Sequence, residues 1–177
     1  MMRIGLIADT HDRVPAVAAL VDRLLGSGAG MILHAGDFCS PFSLTPFLKA
    51  NIPVAGVFGK NDGDREGLRA FAATAVGIEL FESPHSMEIG NRRILLVHDI
   101  GEVSERSLES HEIVVHGFVH QVSMRTRGET LLVCPGEACG WINGAPTAVL
   151  LELQSREVEV LRLDGARWET APLGHRA

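Results

Sequence analysis

The sequence predicts an α/β fold (in the broad sense that includes α+β): two mixed β-sheets packed face to face and flanked by helices, a four-layer αββα sandwich. In the first half, short apolar runs alternate with stretches of helical spacing, the pattern of β-α-β units with parallel strands. The second half is almost all strand and turn. With 177 residues, 46% hydrophobic and 21% charged, the chain suits one ordinary globular domain with a real core. We expect that domain over residues 1–163 and a loose tail over 164–177, where Gly, Pro and Arg accumulate.

Residues 3–8 read as a buried strand. From Val14, the apolar positions Val14, Val17, Ala18, Val21, Leu24 and Leu25 recur at helical spacing, and Gly26 and Gly28 close the segment. Strands follow at 31–34 and 54–58, with a short helix at 46–50 between them and a longer one at 65–75. Gly90-Asn91 is a turn dipeptide, so 87–89 and 94–98 should form a hairpin. Further strands are expected at 113–116, 122–125, 131–134, 147–153 and 158–163, with turns at 127–129 and 154–156.

Composition excludes several classes. No run approaches the roughly 20 apolar residues of a membrane helix. The N-terminus reaches Asp9 too soon for a signal peptide, which places the chain in the cytoplasm. Sixteen basic against 22 acidic residues give a net charge of −6, and no basic patch offers itself to nucleic acid. Cys39, Cys134 and Cys139 are an odd number and read as reduced thiols, with a zinc site at the last two a poor fit to known spacings. The oligomeric state is left open, a homodimer included.

Polar residues recur just after the expected strands: Asp9 and His11, Asp37, Lys60 to Asp62, His98, and His120. Ligands of open α/β sheets gather at the carboxyl ends of strands. Five segments would therefore bring carboxylates and imidazoles to one rim, a donor mixture suited to borderline divalent ions such as manganese, iron or zinc.

The ordered pieces Asp9-Thr10-His11, His34-Ala35-Gly36-Asp37-Phe38-Cys39, Gly59-Lys60-Asn61-Asp62, Val97-His98-Asp99, Gly117-Phe118-Val119-His120 and Cys134-Pro135-Gly136-Glu137 make the chain resemble the calcineurin-like metallophosphoesterases, in particular their small bacterial and archaeal phosphodiesterase branch, over residues 2–163. The resemblance implies hydrolysis of phosphodiesters or phosphomonoesters in a phosphate-ester small molecule. Two metals about 3.5–4 Å apart would clamp the phosphoryl group and activate hydroxide. It implies one tight site from Asp9, His11, Asp37 and His120, for Mn2+, Fe2+, Zn2+ or Ni2+. A second site would use Asp37, His98, an Asn directly after Gly59, and the first histidine of a Gly-His-x-His motif.

Two positions depart from that pattern. Lys60 stands where Asn is wanted, with Asn61 one place late, and Phe118 stands where the histidine is wanted. Phenylalanine cannot ligate, and an ammonium repels a neighbouring cation. The expectation is a second site depleted to Asp37 and His98. Lys60 would stand in as a fixed positive charge for phosphate. Lys60, Asn61 and Asp62 are then the catalytic candidates, Lys60 and His98 the substrate-binding ones, and Phe118 filler for the space a metal left, with His116 a candidate replacement ligand. The alternative is a non-catalytic metal-binding scaffold on the same fold, as the family's altered relative in the retromer coat suggests. His34, His85, His111 and His175 carry no spacing argument and read as structural or exposed.

Overall fold

The computed structural model describes residues 2–74, 77–164 and 167–172. Strand β1 (Arg3–Ile7) is buried on both faces from Ile4 onward, which its continuous apolar run demands. Helix α1 (Val14–Gly26) has Pro15 in its first turn, turns Ala16, Val17, Leu20, Val21 and Leu24 inward, and stops at Gly28, whose φ is 85°. It lies close on β1 because Gly5 has no side chain: a Cβ there would meet Leu24 Cδ1 at 2.9 Å. Next come β2 (Ala29–His34), a 3₁₀ turn at Pro41–Leu44 running into α2 (Thr45–Leu48), β3 (Val54–Val57) and α3 (Arg65–Ala73). Asp64 caps α3 by accepting the Gly67 N–H at 2.9 Å.

Strands β4 (Ile78–Phe81), β5 (His85–Ile89) and β6 (Arg92–Val97) follow, then α4 (Glu105–Glu109), β7 (Ile113–His116), β8 (Val122–Arg127), β9 (Thr130–Pro135), β10 (Thr147–Glu152), β11 (Val158–Asp164) and β12 (Arg167–Pro172). Among the described residues, one sheet has seven strands in the order β12-β11-β10-β1-β2-β3-β4, the other five in the order β5-β6-β7-β9-β8. Both mix parallel and antiparallel pairs. The expected αββα sandwich is therefore present.

Each layer boundary has its own apolar cluster. Leu20, Leu24 and Phe47 pack with Ile7 and Ile32 under the helices. Ile4, Leu6, Leu33 and Val57 of the first sheet meet Ile94, Leu96, Ile113 and Val133 of the second between the sheets. Leu108 of α4 packs on Leu95, Val97, Val114 and Leu132 on the far face. That outer layer is thin, since α4 has five residues.

Several details differ from the sequence reading, which placed no element at α4. The division into a β-α half and a strand-rich half is not the division into sheets: β10 returns to pair antiparallel with β1, taking β11 with it into the first sheet. Strand β4, parallel to β3, was missed; its four residues include Glu79 and give no run to read. Inside the span expected to be a loose tail, Arg167–Pro172 pair with β11 as β12, because that strand leaves an open edge once β10 is satisfied. Residues 173–177, including His175, lie outside the described residues, as do 75, the last residue of the expected 65–75 helix, and 76.

Candidate metal centre

The loops after β1, β2, β3, β6, β7 and β9 meet at one rim. They are tied backbone to backbone: Asp9 N–H donates to Gly36 O at 3.0 Å, His11 N–H to Asp37 O at 3.1 Å, and Cys139 N–H to Asp9 O at 3.1 Å. Asp9, His11, Asp12, Asp37, Cys39, Phe118 and His120 all have positive φ, between 38° and 79°. Non-glycine residues hold that conformation only where surrounding contacts over-determine it, and such residues cluster at functional sites.

The rim brings together the sequence-predicted ligands. Asp9, Asp37 and His98 each place a donor atom within 4.8 Å of the other two, and His11, His120 and Cys139 do the same. The sets adjoin: His11 Nε2 is 3.6 Å from Asp37 Oδ2, and His120 Nε2 is 4.0 Å from Asp9 Oδ1. His98 Nε2 lies 3.4 Å from Asp37 Oδ1, while its Nδ1 engages the Ala35 carbonyl at 2.8 Å. An imidazole whose Nδ1–H is committed to a carbonyl presents Nε2 as a lone pair.

These residues fit a divalent cation. His11 Nε2 and His98 Nε2 are buried without a hydrogen-bond partner. Burial and the charge of Asp37 push the Asp9 carboxyl up to about 8 despite an N–H from Phe118. Burial also holds the His11 imidazolium form down, below its ordinary range. Imidazole nitrogens without hydrogen-bond partners, beside a carboxylate crowded by another carboxylate, are a donor set that a cation would satisfy.

The motif's departures take particular shapes. Asn61, one residue late, still reaches Asp37: its N–H donates to Oδ1 at 2.8 Å and its carboxamide to Oδ2 at 2.7 Å. Gly59 makes this approach feasible, because a Cβ there would sit 2.1 Å from Asp37 Oδ1. Asp62 is almost fully buried and accepts N–H groups from Gly59 at 2.7 Å, Cys39 at 2.7 Å and Asp37 at 3.2 Å. It ties the loops after β2 and β3 together.

Phe118 does not fill a vacated metal space. It is 42% exposed, its ring standing at the mouth 5.7 Å from the His98 ring and its N–H turned in to Asp9 at 3.1 Å. The positive φ of 71° sends the backbone donor inward and the side chain out. Lys60 Nζ lies 4.1 Å from the centre of that ring and binds Asp99 at 2.5 Å and Glu102 at 3.6 Å. These carboxylates raise the affinity of the exposed ammonium for its proton, the hydrogen bond it donates to Asp99 foremost. His116 joins neither donor set among the described residues; its Nδ1 faces Gly117 O at 3.3 Å. His34 is a buried strut, bound to Thr10 Oγ1 at 3.2 Å and the Gly36 N–H at 3.1 Å and stacked on Phe38.

A family model for the calcineurin-like phosphoesterase superfamily domain matches residues 2–156. The chain belongs to this superfamily. It is 26% identical to a phosphodiesterase of Methanocaldococcus jannaschii over 166 residues, covering 92% of this chain and all of that one. A probable metallophosphoesterase of Methanothermobacter thermautotrophicus is 32% identical over 178 residues, covering 94% of this chain and 88% of that one. A solved archaeal phosphodiesterase superposes with a TM-score of 0.85 at 27% identity, over 92% of this chain and all of its own. Vps29 of Entamoeba histolytica, solved with zinc, shares the fold with a TM-score of 0.67 at 21% identity, over 97% and 99% of the two chains.

Within this calcineurin-like rim, sequence reasoning left Glu137 and Cys139 without roles. The Glu137 carboxylate is buried and lies 3.2 Å from His120 Nδ1, accepting also the N–H groups of Ile142 and Asn143 and the Cys139 thiol at 3.3 Å. Burial alone would raise its pKa, but these donors outweigh that and hold it low. Glu137 follows the Cys-Pro-Gly segment already noted, so position after a strand was the available signal. No helix among the described residues is long and apolar enough to cross a membrane.

Proposed function

We propose that the chain is a metal-dependent hydrolase of phosphodiesters or phosphomonoesters. The observation that carries the reading is the convergence of Asp9, Asp37 and His98 beside His11 and His120, with two buried imidazole nitrogens lacking partners. When bound there, a divalent ion supplies Lewis-acid polarisation of a phosphoryl oxygen and lowers the pKa of water.

The chain's own residues set the rest. Glu137 orients His120, and Asp62 fixes Asp37 and the loop after β3. Asn61, beside Asp37, is placed to hold a phosphate oxygen or to lend its carbonyl to a second ion after its carboxamide turns over. Asp9, His11, Asp37 and His120 would hold one ion tightly, and Asp37, His98 and Asn61 would hold a second more weakly. Lys60, at the mouth, would bind the incoming phosphate in exchange for Asp99 and Glu102, the carboxylates that hold it there. A cleft of about 290 Å³ lined by His120, Gln121, Asn143 and Arg162 gives room for an ester arm beside His120.

The assay is hydrolysis of bis-p-nitrophenyl phosphate with Mn2+, Zn2+, Fe2+ or Ni2+ added in turn. Turnover that vanishes with chelator and falls at least about a hundredfold in Asp37→Ala is expected. Metal-independent turnover, or none with any ion, overturns the reading. The exposed Phe118 at a ligand position supports a second reading, a metal-binding scaffold without catalysis. Absence of turnover in the native chain together with its appearance in a Lys60→Asn/Phe118→His variant would decide for it.

A further inference from the structure

Cys139 lies just beyond β9 and is fully buried, with its backbone held at both ends: its N–H donates to Asp9 O at 3.1 Å and its carbonyl accepts from Arg13. Its sulfur belongs with a ring nitrogen of His11 and one of His120, all three within 4.8 Å of one another. The two rings are nearly parallel, 5.3 Å apart with an 11° interplanar angle. Ligands about 2.0–2.3 Å from one ion in tetrahedral array sit a little over 3 Å from each other, so modest closure of this triad completes a site.

We propose that Cys139 is a metal ligand. With His11 and His120 it makes a nitrogen-and-sulfur donor set at the rim, and the ion held there is a thiolate-preferring one, zinc or iron(II), rather than manganese. The inference rests on the reading of the rim as a metal site and adds a donor to it.

A buried cysteine acting as a small hydrophobe would account for the burial alone. Two further observations point to ligation. His11 Nε2 has no hydrogen-bond partner, although its Nδ1 is engaged by Cys39 Sγ at 3.3 Å. Glu137 Oε2 contacts both Cys139 Sγ, at 3.3 Å, and His120 Nδ1, at 3.2 Å, as a carboxylate that orients two ligands of one ion would. On coordination the S–H bond breaks, sulfur keeps the electron pair for the metal, and the proton leaves to solvent by way of the Glu137 carboxylate that already accepts it. Cys39 contacts His11 Nδ1 but is not in the triad, which makes it the internal control.

Cobalt(II) reports thiolate ligation directly, because sulfur-to-cobalt charge transfer absorbs in the near ultraviolet whereas d–d bands in the visible report coordination alone. The full chain titrated with cobalt(II) should show both. A Cys39→Ser/Cys134→Ser variant, with Cys139 its only thiol, should keep the near-ultraviolet band. Cys139→Ser should lose it, keep visible bands, and bind zinc at least about tenfold more weakly with a smaller loss for manganese. Visible bands without the near-ultraviolet band in the native chain overturn the thiolate while leaving the metal site standing. Persistence of the band in Cys139→Ser, or its loss in the double variant, overturns it in favour of another thiol. No cobalt uptake at all removes the metal reading with it. Should Cys139→Ser fail to fold, the native and double-variant spectra decide alone.

Discussion

At the scale of single residues, the carboxylates that hold the centre in shape are as consequential as those facing an ion. Glu137 gathers the N–H groups of Ile142 and Asn143, the Cys139 thiol and the His120 ring. Glu137→Gln keeps the volume but turns an acceptor oxygen into a donor facing donors. We expect metal affinity to fall roughly ten- to a hundredfold, the usual loss when a ligand's supporting carboxylate goes, measured by calorimetric titration. Asp62 accepts three backbone N–H groups from two loops while buried. Asp62→Asn should cost roughly 2–3 kcal/mol of stability, the range for charge-assisted bonds whose donors are left unpaired, read as a lowered thermal midpoint even in chelator. A purely catalytic Asp62, as its place in the motif suggested, would leave that midpoint unchanged. Chain order shows that a carboxylate is near a site; only its donors show whether it faces substrate or braces a loop. For Asn61 the sequence marked the late position, but the reach of its side chain to Asp37 depends on how the loop after Gly59 turns.

At the scale of elements, the parallel strands and α1 were legible because each follows a strong period. The run at β1 is apolar throughout, and Val14, Val17, Val21 and Leu24 fall on one stripe. The hairpin was legible because Gly90 and Asn91 both take positive φ, at 52° and 65°, as a tight two-residue turn requires. β4 and β12 were not, since each joins an edge that pairing with an existing strand creates and neither has a strong pattern of its own. The site loops depend on these strands ending where they do and on close approach between them. Gly59→Ala tests this: the added Cβ would lie 2.1 Å from Asp37 Oδ1 and 2.5 Å from Asp37 N, backbone that cannot yield. The variant should retain its β-sheet circular dichroism and lose measurable metal binding, whereas Gly63→Ala, with nothing within 4 Å of the new carbon, should match the native chain in both.

At the scale of the whole molecule, the fold spends stability to hold the metal centre ready, and pH exposes this. Asp9 is fully buried, and its pKa in the metal-free fold is raised from 3.8 to about 8. A raised carboxyl binds its proton more tightly when folded, so its contribution is full below the unfolded value and is lost as pH climbs through the folded one. His11 works in the opposite sense, since its folded pKa is lowered from 6.5. Its neutral form is the folded one, and it costs stability only as pH falls below that value. Between about pH 6.5 and 8 the Asp9 effect therefore stands apart, with a slope of at most about 1.4 kcal/mol per pH unit for one proton. In chelator, the thermal midpoint should fall as pH rises across that window. With zinc in excess the decline should flatten or reverse, because the ion takes the ionised carboxylate and displaces the proton. The stabilisation by metal thus grows with pH, and zinc added to a weakly buffered sample at pH 7 should release protons. A metal-free midpoint that rises from pH 6.5 to 8, with no proton release, would mean that Asp9 is already ionised in the fold and that the rim is organised without need of a cation.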